Sequence, residues 1–523
     1  MSSGGARNGR GPTNGGAAAA ARGERWRPLK AILGGAVEVP EDFEISDLAQ
    51  DSRSVRPGAA FLACRGRSHH GLEFAGDAVA RGARAVLWEP APGIVAPSLP
   101  GDVLSAAVPN LSAQLGFIAD RFFDAPSAAL TIAAVTGTNG KTTCAWLLAQ
   151  ALAACGREPA YIGTLGSGRP GAIASGLHTT PDAVTLHRRL AQLREQGADC
   201  VAMEVSSHAL DQQRCAGVRF HTAVFTNLTR DHLDYHGDMA AYRAAKARLF
   251  QWRSLVARVI NVDDDFGADL AREAAHGTRL VLTSQRRAEF SASNGEYVWA
   301  SEVRARPDGL DLTLRTSWGE AQLASPLIGD FNVENLLSVL GVLLAWDVPL
   351  AQACAALARC SPPPGRMQRY GAHDAPLVIV DYAHTPDALA KALRAARAHC
   401  AGTLWCVFGC GGERDVGKRA PMGEVAATQA DEIIVTDDNP RGEDPEVIVA
   451  DILAGMTEAR RAGVTVIRDR ALAIRTAIAR ATRADVVLVA GKGHETYQIV
   501  GSERRAFSDD AAVRAALAAR VVA

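Results

Sequence analysis

The chain has 523 residues, of which 48% are hydrophobic and 22% are charged, and its formal net charge is -1. This length is too great for one core and predicts about three domains. The balanced charge gives no support to bulk nucleic-acid binding or to attraction by an anionic membrane. No stretch approaches the roughly 20 apolar residues of a spanning helix. We therefore expect no nucleic-acid partner and no membrane insertion.

The ten cysteines lie in apolar stretches and form no C-x-x-C pair. This pattern is typical of buried thiols in a reducing compartment, so we expect a cytoplasmic protein. Residues 1–23 are rich in Gly, Ala, Ser and Arg and predict a disordered tail.

The rest of the chain predicts an α/β fold of three domains. In residues 24–126, the strand-like runs "AAFLACRG" and "ARAVLWE" flank a helical run, which indicates a small α/β domain. In residues 127–360, buried apolar strands alternate with helices, which predicts a mostly parallel, doubly wound sheet. The run "SPPPG" at 361–365 is a linker to a C-terminal, Rossmann-like domain, residues 361–523. Its five strand candidates nearly all end in polar or glycine-rich residues, where open sheets bind ligands.

The stretch "AAVTGTNGKTTCAW" at 133–146 reads as a strand, a glycine turn and a helix. Its glycines let backbone N–H groups approach phosphate oxygens, Lys141 can neutralise them, and Thr142 can bind Mg²⁺. Only two residues separate Gly137 from Gly140, whereas the usual phosphate loop has four at this place. A tight strand-to-helix turn without a ligand is the alternative.

Two further motifs follow the next strands. Glu204 in "MEVSSHALDQQR" can complete a Mg²⁺ shell, or it can be a capping or salt-bridged glutamate. The cluster "DHLDYH" at 231–236 suits Mg²⁺ and phosphate, with a transition-metal site as the alternative. Lys246 lies in the helical run "AAYRAAKARLF", and its residue pattern alone favours an ordinary solvated lysine.

Later motifs present amides and charged groups. Asn332 and Asn335 lie one turn apart at a helix start, where they can read an adenine edge or cap the helix. In the last domain, "CGGERDVGKR", "DDNPR" and "GKGHE" gather Arg414, Arg441 and Glu495 at strand ends. The two guanidinium groups can bind carboxylates, and the carboxylate of Glu495 can bind an ammonium. This set of groups suits an amino-acid substrate. A surface salt-bridge network is the alternative.

Taken together, these motifs resemble the Mur ligase family of ATP-dependent amide-forming ligases. The resemblance rests on "TGTNGKTT", "EVSSHAL", "TNLTRDHLDYHG", "GDFNVENLL", "DYAHTPDAL" and "DDNPR", in family order, and covers all but the first 23 residues. "DSRSVRPGAAFLACRG" and "HTTPDA" resemble the segments of the branch that acts on UDP-N-acetylmuramoyl-L-alanyl-D-glutamate. The arginine of "DDNPR" is similar to that of the members that add meso-2,6-diaminopimelate, whose second carboxylate gives Arg441 a partner that lysine lacks.

The resemblance implies a role for each matching position. The catalytic residues are Lys141, Glu204, His232 and Lys246, the last as a carbamylated lysine. Mg²⁺ ligands are Thr142, Glu204, His232 and Lys246. ATP is held by Gly137, Thr138, Asn139, Gly140, Lys141, Thr142, Thr143 and Asn332. The UDP-substrate is held by Ser52, Arg67, Ser68, His69, Thr179, Thr180, Ser206, Gln212 and Arg214. Diaminopimelate is held by Arg414, Asp438, Asn439, Pro440, Arg441, Gly491 and Glu495.

The activity implied by the resemblance is ATP-dependent joining of diaminopimelate to the D-glutamyl carboxylate through an acyl phosphate. This step belongs to peptidoglycan precursor synthesis, and through cell-wall biogenesis to cell shape and division. A lysine-adding muramoyl ligase and a folylpolyglutamate synthase are the nearest alternatives, and a P-loop switch or motor ATPase is one of another class. His178 and His70 depart from the family's commonest pattern, which puts local contacts to the nucleotide-sugar in question. A monomer is expected.

Overall fold

The computed structural model describes residues 25–66, 69–176, 178–274, 277–286, 295–306, 308–371 and 374–521. The predicted disordered segment, residues 1–23, lies outside this part of the chain. The chain divides into two compact units, Met1–Asp124 and Ala125–Ala523. The predicted domain boundaries at 126/127 and 360/361 both fall inside the second unit and stay predictions.

The first unit is a small α/β unit. Its elements are β1 (Arg27–Pro28), α1 (Leu29–Leu33), β2 (Glu44–Ile45), β3 (Leu48–Ala49), β4 (Ala60–Ala63), α2 (Ala75–Ala80), β5 (Ala85–Trp88), β6 (Leu104–Ala107) and α3 (Leu111–Phe122). Strands β3, β4, β5 and β6 form a parallel sheet in that order. Every residue of β4 and β5 is buried, as their uninterrupted apolar sequences predict.

The second unit begins with a large central sheet. Its strands are β7 (Thr131–Thr136), β8 (Pro159–Gly163), β9 (Gly166–Arg169), β10 (Ala172–Ala174), β11 (Cys200–Glu204), β12 (Thr222–Phe225), β13 (Ala257–Asn261), β14 (Arg279–Ser284), β15 (Glu296–Arg306), β16 (Gly309–Thr316) and β17 (Gly319–Ser325). Their order is β10-β9-β8-β11-β7-β12-β13-β14-β15-β16-β17. From β8 to β15 in this order, all neighbours are parallel. Antiparallel strands extend both edges.

Helices cover both faces of this sheet. They are α4 (Lys141–Ala154), α5 (Ala183–Glu195), α6 (Ser207–Asp211), α7 (Leu233–His236), α8 (Met239–Phe250), α9 (Asp265–Arg272), α10 (Phe331–Ala345) and α11 (Leu350–Leu357). Val135 of β7 joins the core under α4 and α10, whereas its neighbour Ala134 joins the core under α5, α8 and α9. Because successive strand residues point to opposite faces, a strand covered on both faces is apolar throughout. The prediction of a doubly wound, mostly parallel sheet is confirmed.

The second unit continues with a smaller sheet. Its strands are β18 (Gln368–Tyr370), β19 (Leu377–Asp381), β20 (Leu404–Phe408), β21 (Glu432–Val435), β22 (Thr465–Val466) and β23 (Val486–Ala490), followed by the hairpin β24 (Tyr497–Val500) and β25 (Glu503–Ala506). Its helices are α12 (Pro386–Arg397), α13 (Arg419–Gln429), α14 (Pro445–Ala454), α15 (Glu458–Arg461), α16 (Arg470–Arg480) and α17 (Asp509–Val521). The order is β18-β19-β23-β20-β21-β22, parallel except for β18. Each of the five predicted strands is present.

The carboxyl ends of the central strands bring the predicted motifs together. Strand β7 lies between β11 and β12, so the loop after Thr136 is flanked by Glu204 on one side and by Thr226 on the other. After β7, the chain forms β8 and β11 on one side of β7 and then crosses to form β12 on the other side. Doubly wound sheets bind ligands at the point where the strand order reverses in this way. None of the helices in the described part of the chain has the length and apolar character that crossing a membrane demands.

Candidate active site

The loop between β7 and α4 is shaped for an anion. Gly137 and Gly140 have φ values of +152° and +86°. A Cβ atom on Gly137 would lie 1.9 Å from Oγ1 of Thr226, and one on Gly140 would lie 2.4 Å from Oδ1 of Asn335. Only glycine fits either position. The loop leads directly into the N-terminus of α4, where backbone N–H groups and the helix dipole favour a phosphate.

The neighbouring strand end anchors this loop. The backbone N–H of Thr138 donates to the carbonyl of Asn227 at 2.8 Å, and that of Asn139 donates to the Asn227 side chain at 2.9 Å. Oγ1 of Thr226 donates to the carbonyl of Asn139 at 2.6 Å. The loop with the short glycine spacing is therefore rigid, because residues at the end of the neighbouring strand β12 hold it in place.

Glu204 is completely buried and accepts hydrogen bonds on both carboxylate oxygens. Oε1 accepts from the Tyr161 hydroxyl at 2.5 Å and from the backbone N–H of Thr164 at 2.8 Å. Oε2 accepts from Oγ1 of Thr142 at 2.9 Å and from Oγ1 of Thr164 at 3.1 Å. All four donors are uncharged hydroxyl or backbone N–H groups, so Glu204 forms no ion pair through these hydrogen bonds. Burial and the carboxylate raise the pKa of Tyr161 far above its usual value.

Lys141 and Lys246 approach the loop from two helices. Nζ of Lys141 donates to the carbonyls of Gly137 and Thr138 at 2.9 and 2.8 Å, and Nζ of Lys246 donates to Gly137 at 2.8 Å. Lys246 is only 1% exposed, and its Nζ lies 4.5 Å from the centre of the Tyr242 ring. The solvated-lysine alternative is therefore wrong. Burial lowers the pKa of Lys246 well below its usual value, and the Lys141 charge lowers it further.

His232 belongs to a cluster of rings beside these lysines. It has a φ of +53°, and its ring centre lies 4.9 Å from that of His208 and 6.1 Å from that of Tyr242. Burial lowers the pKa of His232, and it lowers that of His208 to about 4. Among the described residues, no three His, Cys, Asp or Glu side chains converge on a possible metal site. The transition-metal alternative for "DHLDYH" thus gains no support.

Asn332 and Asn335 are both buried, and their amides bind each other. Nδ2 of Asn332 donates to the carbonyl of Ile328 at 2.7 Å, and its Oδ1 accepts from Nδ2 of Asn335 at 2.9 Å. Oδ1 of Asn335 accepts from the Cys144 thiol at 3.3 Å. These contacts tie α10 to α4, so the two amides support the phosphate loop from behind.

The predicted UDP-substrate residues of the second unit lie at one end of the same site. Arg214 donates to the carbonyl of Thr180 at 2.9 Å and to Oε1 of Gln212 at 2.6 and 2.9 Å. Thr180 donates to the carbonyl of Glu204 at 3.0 Å, and Ser206 caps α6. Oγ1 of Thr179 pairs with Oγ1 of Thr164 at 3.0 Å. This end is therefore hydrogen-bonded to the Glu204 strand end.

The first unit holds the other predicted UDP-substrate residues. Ser52 is buried in a turn that follows Asp51, and Nδ1 of His69 pairs with Oε2 of Glu73 at 3.0 Å. Arg67 and Ser68 lie outside the described residues. His70, one of the two departures from the family pattern, is buried and caps the turn 71–74. It therefore has a structural role in the first unit.

A cavity of about 940 Å³ joins most of these groups in the second unit. Its walls include Thr138–Thr143, His178, Thr179, Thr180, Glu204, Ser206, Arg214, His232, Lys246 and Asn332. They also include residues that the sequence analysis did not select, among them Thr164, Tyr242, Arg366, Asp381 and Tyr382. Burial raises the pKa of Asp381, while the charge of Arg366 lowers it. Arg366 comes directly after the run "SPPPG", and Asp381 is the last residue of β19. The sequence alone therefore contained a signal for each of them.

The predicted amino-acid residues form a second cluster at the carboxyl ends of the smaller sheet. A Cβ atom on Gly411 would lie 3.0 Å from Nη1 of Arg441 and 3.9 Å from Cγ of Arg414, so both arginines flank this glycine. Arg441 has a φ of +54° after Pro440, and its Nη1 donates to the carbonyl of Gly412 at 2.7 Å. Arg414 is exposed. The side chains of Arg414 and Arg441 therefore lie close together, and their binding of a ligand carboxylate stays a prediction.

The other members of this cluster surround Glu495. Its Oε2 accepts from Nδ2 of Asn439 at 3.0 Å and from Nζ of Lys492 at 2.8 Å. A Cβ atom on Gly491, whose φ is +119°, would lie 3.2 Å from Oδ2 of Asp438. Lys492 is fully buried and was not among the predicted residues, although "GKGHE" contained it.

One strand end connects this cluster to the cavity. The backbone N–H of Gly491 donates to the carbonyl of Asp381 at 3.1 Å, and Asp381 lines the cavity. The Tyr382 ring, also in the cavity wall, lies 5.4 Å from the His494 ring, centre to centre. The phosphate site and the amino-acid cluster are therefore neighbours within one unit.

A phosphate loop with a buried carboxylate beside it, next to a cluster that fits an amino acid, defines an ATP-dependent ligase. Comparison with known families gives the same class. The chain matches "Mur ligase family, catalytic domain" over residues 44–116, "Mur ligase middle domain" over 135–343 and "Mur ligase, glutamate ligase domain" over 365–493. The chain belongs to the Mur ligase family, whose members are ATP-dependent amide-forming ligases.

Two relatives and one solved structure share a name. A relative from Xanthomonas campestris is 52% identical over 92% of this chain and 95% of its own, and one from Alkalilimnicola ehrlichii is 51% identical over 91% and 95%. Each is named UDP-N-acetylmuramoyl-L-alanyl-D-glutamate--2,6-diaminopimelate ligase. A solved structure of a ligase with the same name is 35% identical, with a TM-score of 0.70 over 95% of this chain and 99% of that one.

Proposed function

We propose that the protein joins meso-2,6-diaminopimelate to the D-glutamyl carboxylate of UDP-N-acetylmuramoyl-L-alanyl-D-glutamate, with hydrolysis of ATP to ADP and phosphate. The relatives named for this reaction support the proposal, since the chain covers almost their whole length. The product is a precursor of peptidoglycan. We place the reaction in the cytoplasm, where ATP and reduced thiols are found.

The observation that carries the choice of amine is the position of Arg414 and Arg441. Both flank Gly411, and Asn439, two residues before Arg441, binds Glu495. The distal end of diaminopimelate carries a carboxylate and an ammonium on one carbon atom. A guanidinium fork suits the carboxylate, and Glu495 suits the ammonium. L-lysine has the ammonium alone and would leave the arginines without a partner.

The cavity supports activation of a carboxylate by ATP. A carboxylate oxygen of the D-glutamyl group attacks the γ-phosphorus, and the bond to the β,γ-bridging oxygen breaks to release ADP. The diaminopimelate amine, after loss of a proton, then attacks the acyl carbon, and phosphate leaves. Phosphoryl transfer depends mainly on positioning and on neutralised charge. The loop N–H groups and Lys141 supply both at the start of α4.

The oxygen atoms around Glu204 fit Mg²⁺, which prefers hard oxygen ligands. Oε2 of Glu204 and Oγ1 of Thr142 lie 2.9 Å apart at the cavity wall. When bound, Mg²⁺ would neutralise phosphate charge. A second ion would lie at His232 and Lys246, but an amine does not ligate Mg²⁺. That ligand set fits only after the neutral Lys246 nitrogen has added to the carbon of CO₂ and lost a proton, which leaves an anionic carbamate.

The deciding experiment is phosphate release with ATP, Mg²⁺ and the UDP-muramoyl dipeptide, with meso-diaminopimelate compared to L-lysine. We expect turnover that depends on both the dipeptide and diaminopimelate. Equal or faster turnover with lysine would overturn the choice of amine. ATP hydrolysis that needs neither substrate would indicate a P-loop ATPase instead. Light scattering of the same sample tests the expected monomer.

A further inference from the structure

Lys492 places a fully buried positive charge beneath the amino-acid cluster. It follows β23, and its side chain is 0% exposed. Nζ contacts Oε2 of Glu495 at 2.8 Å, Oδ1 of Asn439 at 3.1 Å and Oδ1 of Asp438 at 3.4 Å. An ammonium group has three N–H donors, and these three acceptors use them all. Lys492 is therefore a fixed internal cation that has no donor left for a ligand.

The charges around Lys492 leave one excess negative charge. Asp438 and Glu495 are two carboxylates that share one ammonium. The nearby Arg470 is also buried, but it forms a two-pronged ion pair with Asp509 at 2.7 and 2.8 Å. Arg470 also interacts electrostatically with Asp438 and Glu495, but Arg470 and Asp509 together add no net charge to the cluster. Removal of the Lys492 charge would leave two uncompensated carboxylates in a water-poor place, where charges interact strongly.

Lys492 also sets which atoms of the cluster face a ligand. Oε2 of Glu495 is held by Lys492 and by Nδ2 of Asn439. Oδ1 of Asn439 accepts from Lys492 and from the backbone N–H of Ile499 at 2.9 Å. Within the described part of the chain, Oε1 of Glu495 accepts no hydrogen bond, so this oxygen can receive a ligand ammonium. Asn439 acts mainly as a brace between Lys492 and Glu495.

We propose that Lys492 is a positioning residue that determines specificity for the amine. It offsets Asp438 and orients Glu495, so that the part of the cluster that binds the ammonium carries one net negative charge, beside the guanidinium groups of Arg414 and Arg441. One charge attracts the distal ammonium of diaminopimelate without repelling the carboxylate on the same carbon atom. The inference rests on the proposed function, because it concerns how that site distinguishes diaminopimelate from lysine.

The charge argument predicts opposite effects for two single variants. Lys492→Met keeps the apolar stem and removes the charge, so the site becomes more negative, repels the substrate carboxylate and favours lysine. We expect the ratio of kcat/KM for diaminopimelate to that for lysine to fall by at least about tenfold. The change should lie in KM for the amine, with KM for ATP unaltered. Asp438→Asn makes the site less negative, so the ratio should rise, and a ratio that stays the same or falls would contradict the charge argument.

The double variant Lys492→Met/Asp438→Asn separates charge from packing. It restores one net negative charge, so we expect the ratio to return to within about threefold of the wild type. Packing damage alone would leave the double variant as unselective as Lys492→Met, and that result would overturn the inference. Calorimetric ATP binding and the thermal unfolding midpoint show whether each variant is folded. If Lys492→Met is unfolded, Asp438→Asn decides by the sign of its effect, and a ratio that stays the same or falls overturns the inference.

The outcomes also separate this inference from the proposed function. Wild-type turnover of diaminopimelate together with an unchanged ratio in Lys492→Met would overturn the role of Lys492 alone. If the wild-type protein uses neither amine in the presence of ATP and the UDP-muramoyl dipeptide, both the proposed function and the inference fail.

Discussion

The side-chain nitrogens of Lys141 and Lys246 donate to one and the same oxygen atom, the carbonyl of Gly137, at 2.9 and 2.8 Å. Two ammonium groups so close together repel each other, and burial adds to the cost of charge. The pKa of both lysines is lowered, mainly by burial, and that of Lys246 lies well below its usual value. The geometry therefore favours a neutral amine at Lys246, which is the form that reacts with CO₂.

The first prediction concerns carbamylation of Lys246. A carbamate forms from the neutral amine, whose fraction rises with pH through the pKa, and the lowered pKa of Lys246 brings this reaction toward neutral pH. Wild-type protein in CO₂-free buffer should lose turnover and regain it with bicarbonate. Lys246→Ala should lose on the order of a hundredfold in turnover, which bicarbonate does not restore. Carbon-13 NMR with labelled bicarbonate should show a carbamate in the wild type alone.

The control for this prediction is Lys30→Ala, which removes an exposed lysine of the first unit. It should keep both the turnover and the bicarbonate response. Full activity of Lys246→Ala would remove carbamylation from the mechanism.

The second prediction concerns the phosphate loop. Gly140→Ala would place a Cβ atom 2.4 Å from Oδ1 of Asn335, so the loop must distort and ATP affinity should fall by at least about tenfold. Gly156→Ala is the matched control, because Gly156 has a similar φ of +82° but open space around it. Both substitutions should cost about 1 kcal/mol of backbone strain. Calorimetry should show weakened ATP binding for Gly140→Ala only, and equal affinities would contradict the role of the loop.

The third prediction concerns the carboxylate of Glu204. Glu204→Gln replaces an acceptor oxygen with an N–H₂ group and removes the charge beside Thr142, so turnover should fall on the order of a hundredfold. Tyr161→Phe removes only one of four donors, so it should cost about 1 kcal/mol in the free energy of unfolding while most turnover remains. Steady-state kinetics and urea unfolding measure the two effects. Comparable losses of turnover in both variants would point to a purely structural cluster.

The fourth prediction concerns Arg441. Arg441→Met should raise KM for diaminopimelate by between about tenfold and a hundredfold, because a charge-assisted contact to the distal carboxylate is lost. KM for lysine should change little. Arg475→Met, which removes an exposed arginine of α16, is the control. Parallel changes for both amines would mean that Arg441 supports the fold and does not select the substrate.

The fifth prediction concerns pH and His399. Nδ1 of His399 lies 2.5 Å from the carbonyl of Arg306, and Nε2 lies 3.4 Å from the backbone N–H of Gly329. Only the neutral ring can donate at one nitrogen and accept at the other. Burial lowers the pKa of His399 in the folded state. The unfolded chain therefore binds the proton more readily, and stability is lost as the pH falls below the ordinary value near 6.5.

The test compares urea unfolding at pH 7.5 and pH 5.5. The wild type should lose more unfolding free energy between these conditions than His399→Ala. An equal loss in both would show that other groups carry the acid sensitivity.

Much of the central architecture could be predicted because local sequence and tertiary packing agree there. The loop at Gly137 follows a strand whose apolar residues face two cores, and the motif ends in a helix. The antiparallel ribbon of β15, β16 and β17 was not predicted. Exposed charged side chains such as Arg304 and Glu320 interrupt its apolar pattern.

The acidic and glycine residues of the site could be predicted from the sequence, whereas its buried polar groups were harder to predict. Lys246 lies among alanines on α8, and no local feature of the sequence shows that its side chain is buried against the carbonyl of Gly137. Asn332 lies in the cavity wall, and its amide also binds Ile328 and Asn335, so its expected place near the adenine stays a prediction. Lys492 could not be recognised from local sequence. Two of its three acceptors, on Asp438 and Asn439, lie far from it in the chain, and the third, on Glu495, lies in the loop that follows it. Such groups are defined by what packs against them, which local sequence does not specify.

Strand β19 joins the wall of the cavity to the amino-acid cluster. Its last residue, Asp381, is paired with Ala490 of β23, so the nucleotide cavity and the loop that begins at Gly491 are set by one strand register. A slip of one residue would turn every side chain of β19 to the opposite face. The part of the cavity wall at Asp381 and the part of the amino-acid cluster at Gly491 are therefore held together by the folded sheet itself.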